Sequence, residues 1–139
     1  SGDDKFEYIL WGETNSANKM VDMLHAVFDS IAEKYPEKIA NIAKNDSITS
    51  VALKNDLEQK TACISKIKHY KCKEHTVGND VYCVNAGYNL GQCIKQIEKM
   101  IVECGGKPED FEINKAPKKT SRNGSKSDKP DLSEILNEG

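Results

Sequence analysis

The chain has 139 residues, 37% hydrophobic and 30% charged, which fits one folded domain with some length left over. Its formal charge of -2 excludes a global positive field that would draw in any polyanion, so nucleic-acid contact needs a local basic patch. No run of 18 apolar residues is present, which excludes a helical membrane span.

Residues 1–5 read as a cloning scar and a disordered start. A single α+β domain is expected over 6–114, a small sheet with helices packed on one face. Phe6 to Trp11 is rich in aromatic and β-branched residues and predicts a strand, with Gly12 starting a turn. Thr14, Asn15 and Ser16 are good helix N-caps. In the segment that follows, Met20, Leu24, Val27, Phe28, Ile31 and Tyr35 recur at helical spacing. Pro36 ends that helix and opens a second one, which places Ile39, Ile42 and Ala43 on one face before Asn45-Asp46-Ser47 stops it. Ser50 to Leu53 predicts a short strand and "NDLEQ" a turn. Ala62 to Tyr70 alternates only in part. "VGND" predicts a turn and "VYCVNAGY" a strand, with Val81, Cys83 and Asn85 sharing a face. Asn89 is a candidate N-cap for a helix that buries Leu90, Cys93, Ile94, Ile97, Ile101 and Cys104, and Gly105-Gly106 offers a positive-φ cap at its end. "KPEDFEIN" closes with a short strand that turns Phe111 and Ile113 one way. The expected core is Trp11, Leu24, Phe28, Ile31, Val81, Ile94, Ile97, Ile101 and Phe111.

Residues 115–139 carry almost no apolar side chain before Leu132, and six basic residues between Lys115 and Lys129 face one acid, Asp128. Such a stretch buries too little surface to offset its ordering entropy, so a disordered basic tail is expected. Its end, "DLSEIL", is a short amphipathic island, either a frayed terminus or a peptide that folds on a partner.

Three chemistries compete for the stretch "KIKHYKCKEHTVGNDVYCVN". His69, Cys72, His75 and Cys83 carry zinc-ligand atoms, but a CxxC- or CxxH-type couple occurs once, at Cys72 to His75. No metal is assigned, and a zinc-stabilised fold using Cys72, His75 and Cys83 stays open. Cys72 lies among lysines, which would favour its thiolate if it were exposed, yet no glycine-rich elbow accompanies it. His25 reads as an amphipathic boundary residue of the first helix. Glu7, Glu13, Asp22 and Asp29 form no paired nuclease cluster, and neither GxxxxGK[ST] nor GxGxxG is present. No catalytic residue is assigned, and the chain reads as a non-enzyme with no cofactor and no evident small-molecule substrate. The third chemistry is phosphate contact. Lys66, Lys68, Lys71 and Lys73 would line one side of a strand, with Tyr70 stacking on bases and Lys118, Lys119 and Arg122 adding a second segment. Tyr82 and Tyr88 are further stacking candidates. The plain alternative is a solvated edge strand, which lysines protect from aggregation. The five cysteines, Cys63, Cys72, Cys83, Cys93 and Cys104, are odd in number and irregular in spacing, so free thiols in a reducing, cytoplasmic setting are expected.

The runs "AVFDSIAEKYPEKIANI", "VYCVNAGYNLGQCIKQIEKMIVECGG" and "KPEDFEI", in this order, resemble a small α+β accessory domain that is appended to, or encoded beside, bacterial restriction-type nucleases and methylases. Tyr35 to Ile39 matches that domain's proline-marked helix, Tyr82 to Gly91 its strand–helix junction, and Pro108 to Ile113 its closing run. The match covers Phe6 to Asn114 and is one of layout and short runs. It implies an accessory module of a prokaryotic or phage-borne system that binds nucleic acid or a protein partner, and it carries over no catalytic residue. A protein-binding adaptor or homodimerisation module is the competing expectation.

Overall fold

A computed structural model of the chain describes residues 5–55 and 71–117. Among these residues, three α-helices accompany two three-stranded antiparallel sheets. The class is α+β as expected, with the strands divided between two small sheets instead of gathered in one.

The first sheet has the order β2-β1-β6. β1 (Phe6–Leu10) buries Phe6, Tyr8 and Leu10 and leaves Glu7 and Ile9 half-buried, the alternation of a strand with one face on a core. Trp11 and Gly12 follow with φ of 51° and 81°. Two successive positive φ values make a two-residue hairpin turn. The chain therefore doubles back as β2 (Glu13–Ala17), in register Leu10 with Glu13 and Phe6 with Ala17. This corrects the expected helix caps: Thr14, Asn15 and Ser16 are exposed residues of an edge strand, because the turn delivers them to β1 before a helix can start. Trp11 is a bulky residue in left-handed backbone, a strain of about 1 kcal/mol or more. Its N–H donates to the Asp110 carbonyl at 2.9 Å, which ties the turn to the residue just before Phe111.

α1 (Met20–Lys34) starts after Lys19, which provides no side-chain cap. It buries Met23, Leu24, Val27, Phe28 and Ile31, and also His25, which is no boundary residue. Pro36 opens a short 3-10 turn, and α2 (Ile39–Lys44) buries Ile39, Ile42 and Ala43. Asn45 ends it, its side-chain oxygen accepting from the Ser47 N–H at 2.9 Å.

The second sheet has the order β3-β5-β4, from Val51–Leu53, Asp80–Asn85 and Cys72–Val77. β5 is its centre, with Tyr82 and Val84 in the main core and Cys83 buried on the other face. Asn85 is buried too, but Val81 is only half-buried and lies on the face of β5 away from Tyr82 and Val84, outside the core, whereas Trp11 packs at the core's edge. α3 (Leu90–Glu103) begins with a capping box: Asn89 Oδ1 accepts from the Gln92 N–H at 2.8 Å, and Gln92 Oε1 from the Asn89 N–H at 3.0 Å. It ends with Gly105 at φ 94°, Gly105 N–H donating to the Val102 carbonyl and Gly106 N–H to the Ile101 carbonyl. That bond pair is a Schellman cap. β6 (Phe111–Lys115) then pairs with β1 and sets Phe111 against Tyr8, ring centres 5.8 Å apart. α1 and α3 pack on each other, and α2 packs against β3.

Candidate nucleic-acid interface and a buried histidine pair

Of the residues expected to bind nucleic acid, Lys66, Lys68, Tyr70, Lys118, Lys119 and Arg122 lie outside the described residues, as does the 131–136 segment. Lys71 and Lys73 are described. Lys73 is exposed on β4, which is an edge strand among the described residues, while Lys71 is half-buried just before it. Tyr82 is buried in the core at 3% exposure and has no face to offer a base.

Tyr88 is different. It lies in the chain between β5 and α3 and lines a cleft of about 410 Å³, together with Asn89, Gln92, Lys95 and Lys99. Three local facts position this cleft. The β5 strand ends at Asn85, whose side-chain oxygen accepts from the Gly87 N–H and turns the chain outward. The capping box fixes where α3 begins. Residues 92, 95 and 99 then recur on one side of the helix at spacings of three and four, opposite the apolar stripe. The floor is held by Gln96, a buried polar residue. Its Oε1 accepts from the Ser50 N–H at 3.1 Å and from Ser50 Oγ at 2.7 Å, and its amide nitrogen donates to the Ser47 carbonyl. Lys99 Nζ donates to the same carbonyl at 3.2 Å, and Tyr88 and Thr49 share a 2.7 Å hydroxyl bond. The cleft thus joins an aromatic ring and two ammonium groups on a braced wall. Sequence reasoning singled out Tyr88 and missed Lys95 and Lys99; the polar row at 92, 95 and 99 was the available signal.

The zinc idea is corrected by strand parity. On β4, Cys72 and Glu74 face one way and His75 the other, and Cys83 lies opposite Glu74 in register. His75 therefore points away from both thiols. Among the described residues no group of three or more His, Cys, Asp or Glu is arranged to hold a metal. Burial, the neighbouring Cys83 and Glu74 push the Cys72 thiol up, which disfavours its thiolate despite the lysines beside it in sequence.

His75 faces α1 instead and joins a hydrogen-bonded chain. Its Nδ1 lies 2.9 Å from Asp29 Oδ1, and its Nε2 lies 2.9 Å from His25 Nδ1. His25 Nε2 lies 3.1 Å from the Lys71 carbonyl. The two imidazoles are within 16° of parallel, and Phe28 meets His75 edge-on at 5.0 Å. His25 and Asp29 are one helical turn apart on α1, so both reach the same strand. Burial lowers the pKa of His25, opposed by its bond to Lys71 and assisted by His75 and Lys73.

No family model, curated protein or solved structure matched the chain in comparison. No helix among the described residues is long and apolar enough to cross a membrane.

Proposed function

We propose that this chain is a non-enzymatic accessory module that binds nucleic acid, acting in the cytoplasm within a prokaryotic or phage-borne DNA-processing or defence system. The observation that carries the binding reading is the cleft beside α3, where Tyr88 shares a wall with Lys95 and Lys99. An aromatic ring offers a stacking surface to any base, and ammonium groups neutralise phosphates. The volume, about 410 Å³, is in the range of small-ligand sites and suits a few groups of a strand, such as one base and its phosphate. Lys71 and Lys73 supply a second, weaker phosphate contact at β4. Recognition of this kind reads backbone and base face with little sequence preference. The wider biological setting rests on the resemblance to restriction-associated domains alone.

The test is fluorescence anisotropy with a labelled single strand and a labelled duplex. Wild type is compared with Tyr88→Leu and with the Lys66, Lys68, Lys71 and Lys73 to alanine variant. Salt-sensitive binding that weakens in Tyr88→Leu supports the cleft. Binding abolished by the four-lysine variant and untouched by Tyr88→Leu moves the interface to the β4 segment. No binding at low salt retires the nucleic-acid reading.

A protein-binding or dimerisation module is the second reading. It is favoured by β2, which among the described residues pairs on one side with β1 and exposes four of its five residues, an edge open to a further strand. Its signature is a mass that rises with concentration and is insensitive to salt.

A further inference from the structure

The histidine chain contains a proton count that its geometry fixes. The Lys71 carbonyl can only accept, so His25 Nε2 carries a hydrogen. The Asp29 carboxylate accepts, so His75 Nδ1 carries one as well. Between the rings, one nitrogen donates and the other accepts. Filling every bond takes three N–H hydrogens on two rings, one more than two neutral imidazoles hold.

The near-parallel rings support an N–H···N bond. Ring centres 5.0 Å apart with nitrogens 2.9 Å apart put the rings edge to edge, with the bond running close to the ring planes. That leaves no room for a metal between the two nitrogens.

We propose that His25 and His75 hold one extra proton between them, and that this proton operates a latch tying α1 to the edge strand β4 through Asp29. With the proton bound, all three links are made. Without it, one link must face two lone pairs. Breaking the inner link would leave Nε2 of His25, a residue only 4% exposed, buried without its partner, while the Lys71 carbonyl would keep its bond from the Ala86 N–H. The Asp29 side chain is 67% exposed and can swing into solvent. The latch therefore opens at the Asp29 end, leaving His25 and His75 bonded and β4 released from its charged tie to the helix.

The surroundings fit this assignment. Asp29 is the charged partner from α1 and Lys73 the nearby cation on β4. β5 brings Tyr82, opposite His75 in register, while Glu74 lies on the other face of β4. His25 is buried, and the Asp29 carboxylate stands 2.9 Å from the outer ring, so the charge of the pair lies toward its Asp29 end. A second extra proton would set two cations in contact and turn two N–H groups on each other, so strong acid also breaks the chain.

The test is a pH series of imidazole proton–nitrogen correlation spectra, with hydrogen exchange of the β4 amides, on wild type and Asp29→Asn. Position 29 is exposed, so the variant should fold. The latch predicts that His25 keeps its Nε2–H tautomer across the neutral range. It predicts that the pair passes from three ring hydrogens to two as pH rises, and that β4 amides exchange faster above the same midpoint. Asp29→Asn should weaken proton binding by about threefold, the scale of an exposed ion pair. Independent titration of the two rings, His25 in the Nδ1–H form, or β4 exchange that ignores the midpoint would each overturn it.

Discussion

Gln96 tests most sharply how the cleft is held. It is 7% exposed, and one side-chain oxygen serves two donors of Ser50, itself fully buried. Gln96→Leu keeps the volume and removes that acceptor. A buried donor left without a partner costs about 1–3 kcal/mol, and two are stranded here. The expected loss is about 2–4 kcal/mol, reduced by what the added apolar surface returns. Ser50→Ala removes the hydroxyl alone, leaves the N–H bonded to Gln96, and should cost about 1 kcal/mol. In the Gln96→Leu background the same Ser50→Ala change should cost nothing or restore stability, because it deletes an orphaned hydroxyl. A double-mutant cycle should then show a coupling of about 1 kcal/mol. Urea unfolding followed through Trp11, the only tryptophan, measures all four proteins. A Gln96→Leu loss smaller than that of Ser50→Ala, or strictly additive effects, would refute the account of a wall braced through Gln96.

Other perturbations probe the surrounding frame. Gly105→Ala puts a side chain at φ 94° and should cost about 1 kcal/mol. Gly106→Ala should cost more, because its Cβ would stand 2.8 Å from both Ile101 Cγ2 and Asp110 Oδ2, the second of which is held by the Lys107 N–H. Denaturation midpoints rank the two. Asn89→Ala breaks the capping box that starts α3 and should cost about 1 kcal/mol, with faster exchange confined to the first turn of that helix. Burial pushes the Cys93 thiol up to about 12 and the Cys104 thiol up to about 11. Thiol labelling of the native protein, mapped by mass, should leave both unmodified while Cys72 reacts; labelling of Cys93 before Cys72 would contradict the packing of α3. The lowered pKa of His25 also gives a signed pH effect. Stability from the neutral ring is complete above the ordinary histidine value, about 6.5, and is lost as pH falls through the lowered folded value. Stability against urea should fall more steeply with acid in wild type than in His25→Gln, and parallel curves would contradict it.

Much of the frame was legible because its signals are local. The α3 stripe, the Asn89 cap, the Gly105 terminus and the Pro36 break each depend on residues within a few positions of one another, and the structure keeps all four. The strand at Glu13–Ala17 was not legible. Thr14, Asn15 and Ser16 are good caps in isolation, and only the pairing made possible by positive φ at Trp11 turns them into a strand. A tryptophan in that conformation contradicts its own preference, so the residues alone gave no warning. The site was less legible still. Lysine-rich Lys66 to Lys73 drew the eye, whereas Lys95 and Lys99 looked like the ordinary solvated face of a helix until Tyr88 was found beside them. The histidine chain joins positions 46 and 50 residues apart, and a sequence holds no period at that separation.

The central claim is that the α3 cleft neutralises phosphates. Its most direct test is the salt dependence of binding to a labelled single strand, in wild type and in Lys95→Ala/Lys99→Ala. If both lysines contact phosphates, the double variant should lower the slope of log affinity against log salt by about 1.4, at roughly 0.7 per phosphate contact. The account predicts that shallower slope together with weaker binding. An unchanged slope, or a wild type that binds neither strand nor duplex at low salt, would contradict it.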